Sequence, residues 1–199
     1  SLALKGESMS GFAVRNPDQL KNVNLNPFID SVARSGGDIH THDNVGYLHK
    51  LLTDTTESTD YIYDQSKKYT TAFTYPTSEF AAQLKIIANL INAETNTSVY
   101  YVSLSGFDTH ALQRGQQERQ LRIYSEALQA FTKDLKSTNR FKDTLIMTFS
   151  EFGRRVEENA GKGTDHGTAN NVYLIGGGMK QGGMINDMPD LSKLVDDDL

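Results

Sequence analysis

The chain has 199 residues, 37% of them hydrophobic and 23% charged, which is enough for one compact domain with a sizeable core. The formal net charge is −5 and no basic run stands out, so nucleic acid and anionic membrane surfaces are disfavoured as partners. Cysteine is absent, which excludes disulfides and thiolate metal sites, and no apolar run approaches the roughly 20 residues of a membrane-spanning helix.

Residues 1–43 are rich in Asn, Gly and Ser, and this composition predicts irregular structure with short helical pieces. The opening SLALKGESMSGF lacks the charged start and the sustained apolar run of a signal peptide. The closing DLSKLVDDDL stops in an acidic segment. We interpret both ends as cut and expect residues 1–199 to form a single domain, as the C-terminal portion of a larger one.

Two helices are predicted next. Apolar residues in the first half of 44–68 form one stripe, whereas the second half is more polar and fits a helix less well. Ser78 is a suitable N-cap for a helix that follows Pro76. The apolar positions of this second helix recur at helical spacing: Phe80, Leu84, Ile87 and Ile91.

The segment from residue 98 onward predicts an α/β fold. Residues 98–104 are β-branched and aromatic, residues 143–149 are almost continuously apolar, and residues 171–178 form a third strand-like run. Residues 114–136 carry a long amphipathic stripe, which predicts a helix of about six turns. Strand, helix and strand form a βαβ unit. The sequence therefore predicts a three-layer α/β sandwich with a mainly parallel central sheet.

Acidic and histidine side chains follow these predicted strands. Asp108 and His110 come after the first strand, Glu151 follows the second, and Asp165 and His166 lie in the glycine-rich connection to the third. Ligands of open parallel sheets bind beyond the carboxyl ends of the strands, so we expect these segments to meet at one edge. Carboxylate oxygen and imidazole nitrogen together suit Zn²⁺, Mn²⁺ or a related divalent ion.

Each segment also has a plainer interpretation. Asp-x-His is typical of an Asx-turn with a surface histidine, Asp-His-Gly is typical of a capped turn, and SEFGRR could begin a helix capped by Ser150. A rival metal site is DIHTHD at residues 38–43, where His40 and His42 share a face if the segment is extended. Because no strong strand lies beside it, we interpret this rival as a polar loop before a helix.

Three segments carry a family resemblance: GFDTHALQ, SEFGRRVEENAGKGTDHGTANNVYLIGGG and GGMI. Together they resemble the family called domain of unknown function 1501, exported proteins with a twin-arginine signal within the alkaline-phosphatase-like and sulfatase-like superfamily. The resemblance is dense over about residues 98–190. It implies a periplasmic or secreted protein with two metal ions at the C-terminal edge of a parallel sheet. This chain resembles the C-terminal half of that protein domain.

The resemblance also implies roles for single residues. One metal site is expected to take the side chains of Asp108, His110 and His166. Glu151 resembles a ligand of the second site, although Phe152 stands where related enzymes carry His. Asp165 is expected either to replace that histidine or to support the site.

The resemblance implies a metal-dependent hydrolase or transferase that acts on small-molecule or polymeric phosphate or sulfate esters. Arg154 and Arg155 are candidate ligands for the tetrahedral anion, or else partners of nearby glutamates. Thr109 and Ser150 carry hydroxyl groups near the expected metals. By the resemblance, however, the superfamily's nucleophile lies in the N-terminal half of the domain. The alternative function is a non-catalytic metal- or ligand-binding module of an exported assembly.

Overall fold

The computed structural model describes residues 16–17, 27–35 and 44–194. Contacts divide the chain into two compact units, one of residues 1–72 and 85–101 and the other of residues 73–84 and 102–199. The rival segment 38–43 and most of the predicted irregular region lie outside the described residues. The single-domain organisation stays a prediction.

The described elements are four α-helices, one 3₁₀ turn and four short strands. In chain order they are α1 (Pro27–Arg34), α2 (Asn44–Ser66), α3 (Glu79–Asn92), α4 (Gln113–Ser137), the 3₁₀ turn Phe141–Asp143, β1 (Leu145–Thr148), β2 (Gly153–Arg154), β3 (His166–Gly167) and β4 (Tyr173–Gly176). None of the described helices is long and apolar enough to cross a membrane.

The first unit contains α1 and α2, and polar contacts join these two helices. The Arg34 guanidinium lies 2.7 Å from a carboxylate oxygen of Asp60, and the Thr53 hydroxyl donates to the Ala33 carbonyl at 2.9 Å. The polar second half of α2 was predicted to fit a helix less well than the first half. This prediction was wrong, because one helix continues through the TDTTESTD segment to Ser66.

Helix α4 supplies the core of the second unit. Its buried positions include Ala127, Leu128, Phe131 and Leu135. The predicted helix is therefore confirmed, although Leu121 of the same stripe is exposed. The Tyr124 hydroxyl lies 2.8 Å from the Thr148 hydroxyl, which joins α4 to strand β1.

The start of α3 agrees with its predicted cap. The Ser78 hydroxyl accepts a hydrogen bond from the Ala81 amide at 3.1 Å, and the helix begins at the next residue, Glu79. This bond satisfies one of the amides that a helix N-terminus leaves without an intrahelical partner. The capped end places Phe80 inward, with its ring centroid 6.3 Å from that of Tyr124.

The described strands form two antiparallel pairs. Strands β1 and β4 pair with Leu145 opposite Gly176 and Thr148 opposite Tyr173, which confirms strands within 143–149 and 171–178. Strands β2 and β3 pair with Arg154 opposite His166. The parallel central sheet and its layers of helices stay a prediction.

The first predicted strand differs most from the structure, because residues 98–104 form no strand. β-branched and aromatic residues favour a strand only where a neighbouring strand gives them a surface to pack on. No described strand pairs with this segment, and both Val99 and Tyr101 are exposed. The second predicted strand is almost continuously apolar, as is typical of a strand buried on both faces, but Leu145 and Met147 of β1 are also exposed.

A buried carboxylate on α4 depends on one tyrosine. Asp134 is 0% exposed, and its Oδ2 accepts a hydrogen bond from the Tyr75 hydroxyl at 2.9 Å. Its Oδ1 has no hydrogen-bond partner among the described residues. A buried polar group that loses its hydrogen-bond partner keeps the full cost of its removal from water.

We expect Tyr75→Phe to lower the free energy of unfolding by about 1–3 kcal/mol, because it leaves the buried Asp134 carboxylate less satisfied. Chemical denaturation monitored by circular dichroism measures this change. Tyr173→Phe is the matched control, since Tyr173 is an exposed residue of β4. Equal stabilities of the two variants would contradict the role of the hydrogen bond.

Candidate metal centre

A tight turn presents the first two candidate ligands. The Thr109 amide donates to the Phe107 carbonyl at 2.9 Å, and Thr109 itself is buried. Asp108 and His110 lie on either side of this buried threonine, and both side chains are exposed. The turn therefore buries its central residue, Thr109, and leaves the carboxylate and the imidazole on either side exposed.

The third candidate ligand, His166, lies on strand β3. His166 Nε2 lies 2.8 Å from Asp108 Oδ1, and His110 Nε2 lies 3.1 Å from the same oxygen. One ligand atom of each of the three side chains lies within 4.8 Å of the others. Ligands of a tetrahedral zinc ion at about 2.1 Å lie about 3.4 Å from one another, so small side-chain movements would let these three atoms bind a single divalent ion.

Hydrogen bonding keeps the shared carboxylate ionised. The bond from His166 lowers the pKa of Asp108 below its usual value, and the nearby His110 contributes in the same direction. Asp108 is therefore an anionic acceptor at neutral pH, as a metal ligand must be. The three side chains are 63%, 51% and 46% exposed for Asp108, His110 and His166, so the cluster is open to solvent.

Asp165 lies behind His110 and not among the three converging side chains. Its Oδ1 is 3.3 Å from His110 Nδ1, on the opposite side of the ring from Asp108. Hydrogen bonds from Asn159 and His110 lower the pKa of Asp165. A carboxylate that bonds the far nitrogen of a metal-binding histidine favours the tautomer with Nδ1 protonated, and a bound cation would then replace the contact of Nε2 with Asp108. Of the two roles predicted for Asp165, this geometry favours support.

Asn159 organises the loop between β2 and β3, and the sequence analysis did not single it out. Its Oδ1 accepts from the amides of Gly161 and Gly163, while its Nδ2 donates to the His110 carbonyl and to Asp165 Oδ1, both at 3.1 Å. One amide side chain thus connects both candidate ligand loops. The sequence Asn-Ala-Gly-Lys-Gly could have indicated this role, since an Asn side chain often hydrogen-bonds the backbone two residues further on in a turn.

Two glycines of the motif allow these loops to approach closely. A Cβ atom on Gly163 would lie 2.4 Å from the His110 carbonyl carbon, and one on Gly153 would lie 1.9 Å from the Ala169 carbonyl oxygen. Both distances are far below van der Waals contact. Gly153 of SEFGRR and Gly163 of GKGTDHG are therefore required sterically, because neighbouring backbone atoms occupy the space that a side chain would need.

The remaining predicted ligand, Glu151, is exposed at the bend before β2 and is not one of the three converging side chains. The next residue, Phe152, stacks on His166 with ring centroids 4.1 Å apart and an interplanar angle of 15°. The expected second metal site is thus not assembled by the described residues. An aromatic ring instead forms one wall of the cluster.

The candidate anion ligands and hydroxyls have mostly internal partners. Arg154 donates to backbone carbonyls of Thr164 and Phe107, whereas Arg155 is exposed. The Ser150 hydroxyl donates to the Phe152 carbonyl at 2.7 Å, and SEFGRR begins no helix. Two Arg154 donors are thus bonded to backbone carbonyls, and the anion-binding role of Arg154 and Arg155 stays a prediction.

Residues 48–198 match the family model described as Protein of unknown function (DUF1501). The chain belongs to this family. Comparison with curated proteins found no match, and comparison with solved structures found none. The DUF1501 match begins within helix α2 and includes every residue of the cluster, whereas the rival segment 38–43 precedes it.

For this DUF1501 chain, we expect Gly163→Ala to weaken Zn²⁺ binding and to lower the thermal midpoint, because the added methyl group displaces the backbone of His110. Gly115→Ala is the control, since a Cβ there has no atom within 4 Å. Alanine is a better helix former than glycine by about 0.5–1 kcal/mol, so the control should be slightly stabilised. Calorimetry measures both effects, and unchanged binding in Gly163→Ala would contradict the steric argument.

Proposed function

We propose that the chain binds one divalent cation, Zn²⁺ or Mn²⁺, through Asp108, His110 and His166. The observation that carries this proposal is the convergence of three ligand atoms within 4.8 Å of one another. Exposed carboxylates are common, but two imidazoles brought to the same carboxylate oxygen from segments more than 50 residues apart are not expected of ordinary turns. The support of His110 by Asp165 strengthens the proposal.

We further propose that the complete protein is a metal-dependent hydrolase or transferase acting on phosphate or sulfate esters. Three protein ligands at an open site leave a coordination position for water or substrate, as in catalytic zinc sites. A cation held there supplies a Lewis acid for the ester oxygens. The exposed Arg155 is the remaining candidate to meet the anion, because Arg154 is engaged.

The same proposal includes the fold and the location suggested by the family resemblance. These are an alkaline-phosphatase-like three-layer sandwich and an exported, periplasmic or secreted protein. The resemblance of GFDTHALQ and GTDHG supports them. By that resemblance, the nucleophile and the first metal-binding aspartate belong to the N-terminal half of the superfamily's domain, and Glu151 is expected to serve the second site.

A second candidate function is a non-catalytic metal-binding module. The observation that favours it is the direction of the two nearby hydroxyls. Ser150 donates to the Phe152 carbonyl at 2.7 Å, and the buried Thr109 directs its hydroxyl at the Phe107 carbonyl, 3.4 Å away. Neither hydroxyl is directed at the cluster as an attacking nucleophile must be.

We expect His110→Ala and His166→Ala each to abolish Zn²⁺ and Mn²⁺ binding in titration calorimetry, because each removes one of three ligands. In the wild type, affinity should fall on acidification, since protons compete for the imidazole nitrogens. Asp108 remains ionised through mildly acidic pH, because its pKa is lowered. The loss on acidification therefore reports on the histidines.

The matched control replaces both histidines of the rival segment, as His40→Ala with His42→Ala, and should bind metal like the wild type. The reverse pattern, with binding lost in this double variant and kept in His110→Ala and His166→Ala, would move the site to residues 38–43.

Ester hydrolysis by the full-length protein separates the two candidate functions. We expect turnover of a generic phosphate or sulfate monoester with Zn²⁺ or Mn²⁺, and loss of turnover on chelation or in Asp108→Asn, which keeps the shape and removes the charge. Metal binding without turnover of either ester class would reject the hydrolase in favour of the binding module.

A further inference from the structure

We propose that Arg154 is a positioning residue that fixes the distance between the two loops carrying the metal ligands. This inference rests on the proposed metal site. Arg154 lies on β2, opposite His166 of β3, and its side chain is only 19% exposed. It supplies no ligand atom, so its effect on metal binding acts through Asp108 and His166.

Hydrogen bonds from one guanidinium reach both loops. Nη2 donates to the Phe107 carbonyl at 2.7 Å, beside Asp108 in sequence, and Nη1 donates to the Thr164 carbonyl, two residues before His166. The planar guanidinium holds its donors at a fixed separation. Its two bonds therefore set the separation of the carbonyls, and with it the separation of the ligand side chains.

The same guanidinium also contacts the ligand side chains or their neighbours. Nη2 lies 3.8 Å from Asp108 Oδ1, and the guanidinium carbon lies 4.9 Å from the centre of the Phe152 ring. That ring stacks on His166, and the centroid of the His166 ring is 4.9 Å from that of His110. Arginine, phenylalanine and histidine thus form a continuous stack that orients the imidazole of His166.

Charge and positioning predict opposite effects on metal affinity. A fixed positive charge close to a cation site weakens cation binding, so removing Arg154 should tighten binding if its charge were its only influence. If Arg154 positions the ligands, its removal should weaken binding. The sign of the change therefore distinguishes the two explanations.

The test measures Zn²⁺ affinity of the full chain by competition with a chromogenic chelator. We expect Arg154→Ala to weaken binding by about 10–100-fold, the usual loss when a residue that supports metal ligands is removed. We expect Arg154→Lys to be weakened as well, because one ammonium group keeps the charge but does not span both carbonyls. The visible spectrum of bound Co²⁺ should change in Arg154→Lys, since it reports the ligand geometry.

Arg119→Ala is the matched control, because it removes an arginine from an exposed position of α4. It should keep both the affinity and the Co²⁺ spectrum of the wild type. Affinity in Arg154→Lys equal to that of the wild type, or tighter binding in Arg154→Ala, would overturn the proposal. If Arg154→Ala fails to fold, the folded lysine variant decides between the outcomes.

A metal-free measurement keeps this inference separate from the proposed function. Nitrogen-15 NMR of the imidazoles reports the bond from His166 to Asp108 directly. We expect the His166 signals to shift in Arg154→Lys and to stay in place in Arg119→Ala. If the wild type binds no metal, the proposed function fails, yet shifted His166 signals still support positioning. Unchanged signals reject positioning whether or not metal binds.

Discussion

The close approach of two backbone segments is the constraint on which the candidate site depends. The Leu112 amide donates to the Gly161 carbonyl and the Gln113 amide to the Lys162 carbonyl, both at 3.0 Å. These bonds join the start of α4 to the glycine-rich loop. Leu112 is in a left-handed conformation and α4 has no side-chain cap, so the loop supplies the cap of a 25-residue helix. The order of this loop and the stability of the helix end are therefore coupled.

The loop contacts also show through which elements the residues predicted to converge come together. Asp108, His110 and His166 were expected to meet at the carboxyl edge of a parallel sheet. In the described residues they meet through the antiparallel β2–β3 pair and the loop that caps α4. The residue types were informative only in combination, because the turn interpretation of each single segment does not require the segments to meet. Strand direction was less informative, since apolar runs do not reveal which strands pair.

Other features of the site could not be predicted from the sequence, because they are hydrogen bonds between side chains and backbone groups that are distant in the chain. Arg154 contacts the Phe107 carbonyl 47 residues away, and Asn159 contacts the His110 carbonyl 49 residues away. Nothing in a run of residues distinguishes an arginine that bonds carbonyls from one that binds an anion. The helices were easier to predict, because the periodicity of α4 and the Ser78 cap of α3 are local properties.

The charges at the cluster bear on the proposed chemistry as a group. Asp108 and Asp165 are anionic, whereas Arg154 lies beside Asp108 and Arg155 acts on Asp165, so these two pairs of opposite charges balance. A divalent ion bound as proposed would add two positive charges at a solvent-exposed surface. Such a centre would attract an anionic ester more strongly than the metal-free cluster does. Under the proposed function, an anionic substrate is therefore expected to bind better after the metal than before it.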